Sequence, residues 1–215
     1  MKNNHFALAL AAAASMAGAV HADDFKPKTA GLVMLNVRLT DVSPDAGDPI
    51  TTTAGAATGL HADVKMDVMP TIGLTYFFTD HVAVEAIAGT TRHKIKAVGG
   101  TTNVAVKDTW VLPPVVALQY HFAPAAKVSP YVGAGVNYMI FYGGSNKNGF
   151  NLKLKDGFGA ALQAGVDIAA SGPWSVNVDV KKIFFKTDAK DAKNGLKASV
   201  NLDPWVLSAG FGYKF

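Results

Sequence analysis

The 215-residue chain contains no cysteine. Disulfides, thiolate nucleophiles and thiolate metal sites are therefore excluded. Charge is scarce too: 17% of residues are charged and the net charge is +4. That surplus is too small and too dispersed to indicate a nucleic-acid partner. Beyond the N-terminal segment, no run of about 18 strongly apolar residues occurs, which excludes helical membrane spans. Catalytic signatures are absent as well. His61, His81, His93 and His121 show no metal-ligand spacing and have no framing carboxylates. No serine sits in a Gly-x-Ser-x-Gly elbow, and Ser145 and Ser175 have no evident catalytic partner. Gly133-Ala134-Gly135 and Gly157-Phe158-Gly159 lack the third glycine and following helix of a phosphate loop. No enzyme activity and no cofactor is expected. Yet 49% of the residues are hydrophobic and mean hydropathy is +0.18. That is high for a soluble all-β domain and suits a barrel whose outer face meets lipid.

The N-terminus reads as a secretory signal. Met1-Lys2 is a short positive start, Ala7 to Val20 is mostly apolar, and Val20-His21-Ala22 offers small residues where a signal peptidase cuts. Cleavage after Ala22 assigns residues 1–22 to the signal peptide and 23–215 to one mature domain. Loss of Lys2 leaves a net charge of +3, from +4 minus one.

The C-terminus alternates strictly. Trp205, Leu207, Ala209, Phe211, Tyr213 and Phe215 share one face; the alternate positions are mostly small or polar. This resembles the closing strand of a bacterial outer-membrane β-barrel. Similar segments are expected near 31–42, 62–79, 81–97, 108–122, 128–142, 157–170, 174–186 and 200–215. Eight is an even number, and it fits this length where a 16-stranded porin would not. Short turns at 79–81, 123–127 and 170–173 fit the periplasmic side. Longer polar segments at 43–61, 98–107, 143–156 and 187–199 read as four extracellular loops. The alternation places Trp174, Val176, Val178 and Val180 toward lipid, and Ser175, Asn177, Asp179 and Lys181 inward. Phe77, Phe78, Trp110, Tyr120, Phe122, Tyr142, Trp174, Trp205, Tyr213 and Phe215 are expected in two interfacial girdles.

Several segments together carry a more specific signal. Gln119-Tyr120-His121-Phe122 precedes Val128-Ser129-Pro130 and the run Tyr131-Val132-Gly133-Ala134-Gly135-Val136-Asn137-Tyr138. Thr75 to Asp80 lies upstream; Trp174 to Lys181, Leu202-Asp203-Pro204 and Gly212 to Phe215 lie downstream. The mature chain resembles the outer membrane protein W (OmpW) family. The resemblance implies an all-β, eight-stranded antiparallel transmembrane barrel in the outer membrane. It implies a narrow, largely apolar channel for small hydrophobic solutes, with lateral release into the membrane. It also implies that Phe211, Tyr213 and Phe215 form a signal for the barrel-assembly machinery. Outer-membrane lipids, that machinery and hydrophobic solutes are the expected partners.

With periplasmic termini, the outer half of the lumen collects Val111, Pro113, Val115, Met139, Phe141, Pro204 and Val206. Nearer mid-height, Arg38 and Lys181 face Glu85 and Asp179, forming a polar plug. Below them lie Asn36, Gln119, His121, Asn177 and Asp167. Inward glycines, Gly133, Gly135, Gly157, Gly159, Gly165, Gly210 and Gly212, are expected either to leave free volume or to relieve crowding on curved strands. Pro70, Pro113, Pro114, Pro130 and Pro204 fall within strands and remove ladder donors. The Pro113-Pro114 pair is the expected weak point of the wall. The competing expectation is a non-conducting structural or adhesion barrel whose loops bind surface partners. An apolar cavity behind Met139 and Phe141 would favour the conduit; a packed interior would favour the structural role.

Overall fold

A computed structural model describes residues 25–215; the expected signal peptide lies outside them. Fifteen strand segments form one continuous sheet system. In chain order they are β1 (Val33–Ser43), β2 (Pro49–Thr52), β3 (Ala57–Val64), β4 (Asp67–Phe77) and β5 (Val82–Gly89). Then come β6 (Thr91–Gly99), β7 (Thr102–Leu112), β8 (Val115–His121), β9 (Val128–Asn146) and β10 (Leu152–Leu154). The chain ends with β11 (Gly157–Ala169), β12 (Trp174–Phe184), β13 (Lys186–Asp191), β14 (Leu196–Asn201) and β15 (Trp205–Lys214).

Eight of these close a ring, all antiparallel: β9, β11, β12, β15, β1, β4, β5, β8 and back to β9. Closure leaves no open edge, so backbone donors and acceptors find partners without water. The remaining segments continue seven of the eight strands beyond the ring as a second storey, in the order β10, β13, β14, β2, β3, β6, β7 and the far end of β9.

The second storey corrects one expectation. The segments read as loops at 43–61, 98–107, 143–156 and 187–199 contain much paired strand, including β2, part of β3, most of β7, β10 and part of β14. The physical reason is a change of solvent. In the lower ring apolar side chains face out: Val37, Leu39, Ile72, Leu74, Val116 and Leu118 are all exposed. In the upper storey they face in, as Phe185, Ala189 and Val200 do, while Lys186, Asp188 and Lys190 face out. Polar outward positions made strand resemble loop.

The short turns are local chemistry. Thr79 Oγ1 accepts from the backbone N–H of Val82 at 2.9 Å, folding the chain between β4 and β5. Gly172, with φ of 56°, occupies a left-handed position in the turn before β12. The segment before β1 crosses this end. Lys26 N–H donates to Gly172 O at 2.8 Å and Lys28 N–H to Pro124 O at 3.0 Å.

Two further expectations fail. Phe77 lies in no girdle: it is fully buried beside Leu32 and Ala83, because the outward position belongs to Phe78. Nor do most of the inward glycines leave free volume. A Cβ on Gly135 would land on Val116 O and Ala117, and one on Gly210 on Val37 O and Arg38 Cα. The space beside Gly165 is filled by the Tyr131 hydroxyl, and that beside Gly212 by Met34, Asn36 and Ser175. These glycines permit close approach between neighbouring strands and side chains.

Candidate functional site: an apolar cavity above a polar floor

Inside the ring, the lower lumen is filled by a hydrogen-bonded network. Arg38 comes from β1, Glu85 from β5, Gln119 from β8, Tyr131 from β9, Gln163 from β11, and Asn177, Asp179 and Lys181 from β12. All are buried, at 5% exposure or less. Arg38 Nη2 donates to Glu85 Oε1 at 2.6 Å, and Arg38 Nε to Asn177 Oδ1 at 2.5 Å. Glu85 Oε2 accepts from Gln119 at 2.8 Å and from Gln163 at 2.9 Å. Asp179 Oδ2 accepts from Tyr131 OH at 2.8 Å and Gln163 at 2.9 Å, while its other oxygen pairs with Lys181. The four side chains Arg38, Glu85, Asp179 and Lys181 therefore meet in one cluster.

A second cluster lies toward the end that carries the short turns. Lys28 reaches in from the segment before β1. Its Nζ contacts Asp167 Oδ2 at 2.7 Å, Ser129 Oγ at 2.9 Å and His121 Nδ1 at 2.9 Å. Asn177 Nδ2 joins the two clusters, donating to Asp167 Oδ1 at 2.7 Å and to Tyr131 OH at 3.0 Å. Sequence reading placed Asp167, His121 and Asn177 in the lower lumen but missed Lys28. A lysine outside any strand has no alternation to place it. Buried charges are tolerated when paired and further hydrogen-bonded, as here. Among the described residues, four buried side-chain atoms have no protein partner: Asn36 Oδ1, Arg38 Nη1, Asn137 Oδ1 and Gln163 Oε1.

Above Thr40, Thr71, Ser208 and Lys181 the lumen changes character. An apolar cavity of about 130 Å³ extends up into the second storey. Val111, Pro113, Val115, Met139, Phe141, Pro204 and Val206 all line it. So do second-storey side chains that sequence reading assigned to loops, including Ile50, Leu60, Val106, Leu152, Leu196 and Ala198. These were missed because their segments looked polar overall. Phe141 and Phe185 lie 6.2 Å apart between ring centroids at its wall. A space lined this way offers dispersion contacts and almost no hydrogen bonds, so it discriminates by apolarity and size.

The wall beside the cavity is incompletely paired. The β5–β8 ladder ends at Ile87↔Val115, and the β6–β7 ladder resumes at Thr91↔Val111. Leu112, Pro113 and Pro114 thus have no ladder partner across from Ala88, Gly89 and Thr90. On the other side Pro114 O still accepts from Tyr138 N–H at 3.1 Å and Asn137 Nδ2 at 3.0 Å. The ladder on that side also skips Pro113 and Pro114, between Leu112↔Ile140 and Val115↔Asn137, but these bonds span the gap. Pro70 and Pro130 stay inside ladders, opposite Leu39 and Val166, whereas Pro204 lies in a break between β14 and β15. The girdle aromatics other than Phe77 face outward, Trp174 and Phe215 among the most exposed. Phe211, Tyr213 and Phe215 share the outer face of β15, with Tyr213 and Phe215 edge-to-face at 4.9 Å.

Comparison with known proteins fits this architecture. Residues 29–215 match the model of the OmpW family. The chain belongs to that family. It is 39% identical over 155 residues to outer membrane protein W of Escherichia coli, covering 66% of this chain and 70% of that one. It is 45% identical over 152 residues to the uncharacterized outer-membrane protein y4mB of Sinorhizobium fredii, covering 69% and 66%. The crystal structure of OprG from Pseudomonas aeruginosa superposes with a TM-score of 0.82 at 29% identity, covering 89% of this chain and 99% of OprG. This OmpW-family chain is therefore an integral barrel of the bacterial outer membrane.

Proposed function

We propose that this barrel passes small hydrophobic molecules from the cell exterior into the outer membrane. The observation that carries the reading is the juxtaposition of three features. An apolar cavity opens through the second storey, a filled polar floor closes it below, and the wall beside it lacks ladder bonds at Pro113-Pro114. An apolar solute gains nothing by entering the floor, because it would displace buried charge pairs. Sideways exit into lipid is its downhill route. One relative supports this solute class by name: the dibenzothiophene metabolism operon protein PahQ of Pseudomonas aeruginosa is 29% identical over 184 residues. Dibenzothiophene is an apolar aromatic.

In this reading Val111, Pro113, Val115, Met139, Phe141, Pro204 and Val206 contact the solute, and Arg38, Glu85, Asp179 and Lys181 deny it the periplasmic route. Phe211, Tyr213 and Phe215 serve earlier, as the outward aromatic strand end that the assembly machinery reads. No covalent step is involved. The test replaces Pro113 and Pro114 together by valine, restoring a ladder donor at each. Uptake of a short alkane by cells making this variant should fall at least severalfold while the folded barrel persists. Unchanged uptake would rule out this exit.

A further inference from the structure

On the outer surface of the second storey, three lysines stand in a row. Lys153 pairs with Lys190 across β10 and β13, and Lys190 pairs with Lys197 across β13 and β14. All three are exposed and share one face by register; Leu152, Ala189 and Leu196 beside them line the cavity, which Lys197 also borders, while Lys153 and Lys190 stay clear of it. Side chains directly opposite on neighbouring antiparallel strands have Cβ atoms about 5 Å apart, and like charges there repel. Two such contacts share one central lysine.

None of the three lysines forms an ion pair among the described residues; Lys197 Nζ only donates to Thr53 O at 3.1 Å. Lys155, just after β10, and Lys186 on β13 are also exposed nearby. The acid on this face of β13 is Asp188, engaged by the Ser199 hydroxyl at 2.9 Å. Two other cations of this storey are matched: Arg92 contacts Asp108 at 3.2 Å, and Lys65 contacts Asp63 at 3.0 Å. The row is thus a local surplus of positive charge that a polyanion would complement.

Height selects the polyanion. Lys182 Nζ lies 5.0 Å from the Trp205 ring centroid, at the level of the outward aromatics. Lys190 is eight positions further along the same ribbon. At about 3.3 Å per residue and a tilt near 40°, that is roughly 20 Å higher. Phospholipid headgroups extend only about 5–7 Å beyond the hydrocarbon. Their phosphates lie too low even for an extended lysine. A lipid whose phosphates are carried upward on sugars does reach.

We propose that the Lys153–Lys190–Lys197 row docks the phosphorylated oligosaccharide headgroup of an outer-leaflet glycolipid, lipopolysaccharide in an outer membrane. The headgroup phosphates replace mutual repulsion with attraction, and they anchor the second storey in the sugar layer.

The test uses the mature barrel in zwitterionic phospholipid nanodiscs. Lipopolysaccharide, its dephosphorylated form and a soluble sulfated polysaccharide are titrated against the native chain and against K153Q/K190Q/K197Q. Each lysine near an anionic surface contributes about fivefold in affinity, so the triple variant should bind lipopolysaccharide about a hundredfold more weakly. Dephosphorylated lipopolysaccharide should bind the native chain about as weakly. Without any anion the variant should unfold at the same or a higher temperature than the native chain, since the repulsion is gone; a lower temperature would contradict the strained row. Equal lipopolysaccharide affinity of variant and native chain would overturn the proposal. So would a soluble sulfated polysaccharide binding as tightly, which would make the row an extracellular polyanion site. Equally tight binding to discs of phosphatidylglycerol alone would overturn the height argument.

Discussion

The lower and upper halves of the lumen are walled by the same alternating strands, yet they are built on opposite terms. Below Thr40 the interior is solid: charged and amide side chains bridge most of the strands across the ring. Above it the interior is hollow, and most of the groups that line it are aliphatic or aromatic and make no directed bonds. A polar network of paired charges fixes distances between strands and depends on every member. An apolar lining tolerates empty space, because a small dry cavity costs only the lost dispersion. Stability should therefore concentrate in the floor, and permeability in the hollow.

The largest effect should come from breaking the floor at its most connected acceptor. Glu85→Ala removes the acceptor shared by Arg38, Gln119 and Gln163 and leaves a buried guanidinium without its ion pair. A loss of about 3–5 kcal/mol is expected, read from denaturant unfolding in detergent. A loss below about 1 kcal/mol would show that the floor is decoration. Lys28→Ala should cost somewhat less, about 3 kcal/mol, because Asp167 keeps the Asn177 hydrogen bond. Adding Asp167→Asn to that variant should recover part of the loss; no recovery would mean that Lys28 acts by packing alone.

The hollow half should respond differently. Ile183→Ala removes a buried side chain that already faces open space. It should cost about 1 kcal/mol, less than the 2–5 kcal/mol of a close-packed core. A cost as large as that of Glu85→Ala would erase the distinction between the halves.

The smallest effect is expected at the top of the second storey. Burial opposes the charge on Asp191, but donation from the Asn194 side chain and from the backbone N–H groups of Asn151, Asn194 and Lys193 holds its carboxyl below the ordinary range. Its folded value is depressed, so its contribution is complete above the unfolded value of about 4 and is lost as pH falls through the folded one. Thermal unfolding followed from pH 6 downward should drop less below pH 4 in Asp191→Asn than in the native chain. Identical pH profiles would contradict this.

Much of the lower ring was legible in the sequence because its solvent is lipid. Apolar-out alternation on β12, as in Val176, Val178 and Val180, fixes the inward face by elimination, and so brings Asp179 and Lys181 to Arg38 and Glu85. The upper storey was not legible, because the apolar face changes sides. Past Phe184 the outward positions become Lys186, Asp188 and Lys190, and the pattern of strand turns into the composition of loop. Glycine misled for another reason: a missing side chain signals either a void or a close neighbour, and only coordinates distinguish them. At Gly135 and Gly210 it is the neighbour. Lys28 was invisible because its position depends on a turn against Pro124, not on periodicity.

The central claim is that the hollow half conducts while the solid half does not. Its most direct test is alkane uptake by cells that make either the native chain or Val115→Trp, at matched amounts of heat-resistant folded barrel. Val115 lines the cavity beside the unpaired Pro113-Pro114 segment, so the indole fills the hollow where the solute must turn toward lipid. Uptake should fall to the level of cells lacking the barrel. Undiminished uptake by a folded Val115→Trp barrel would contradict conduction through this cavity and favour a barrel that acts through its surface.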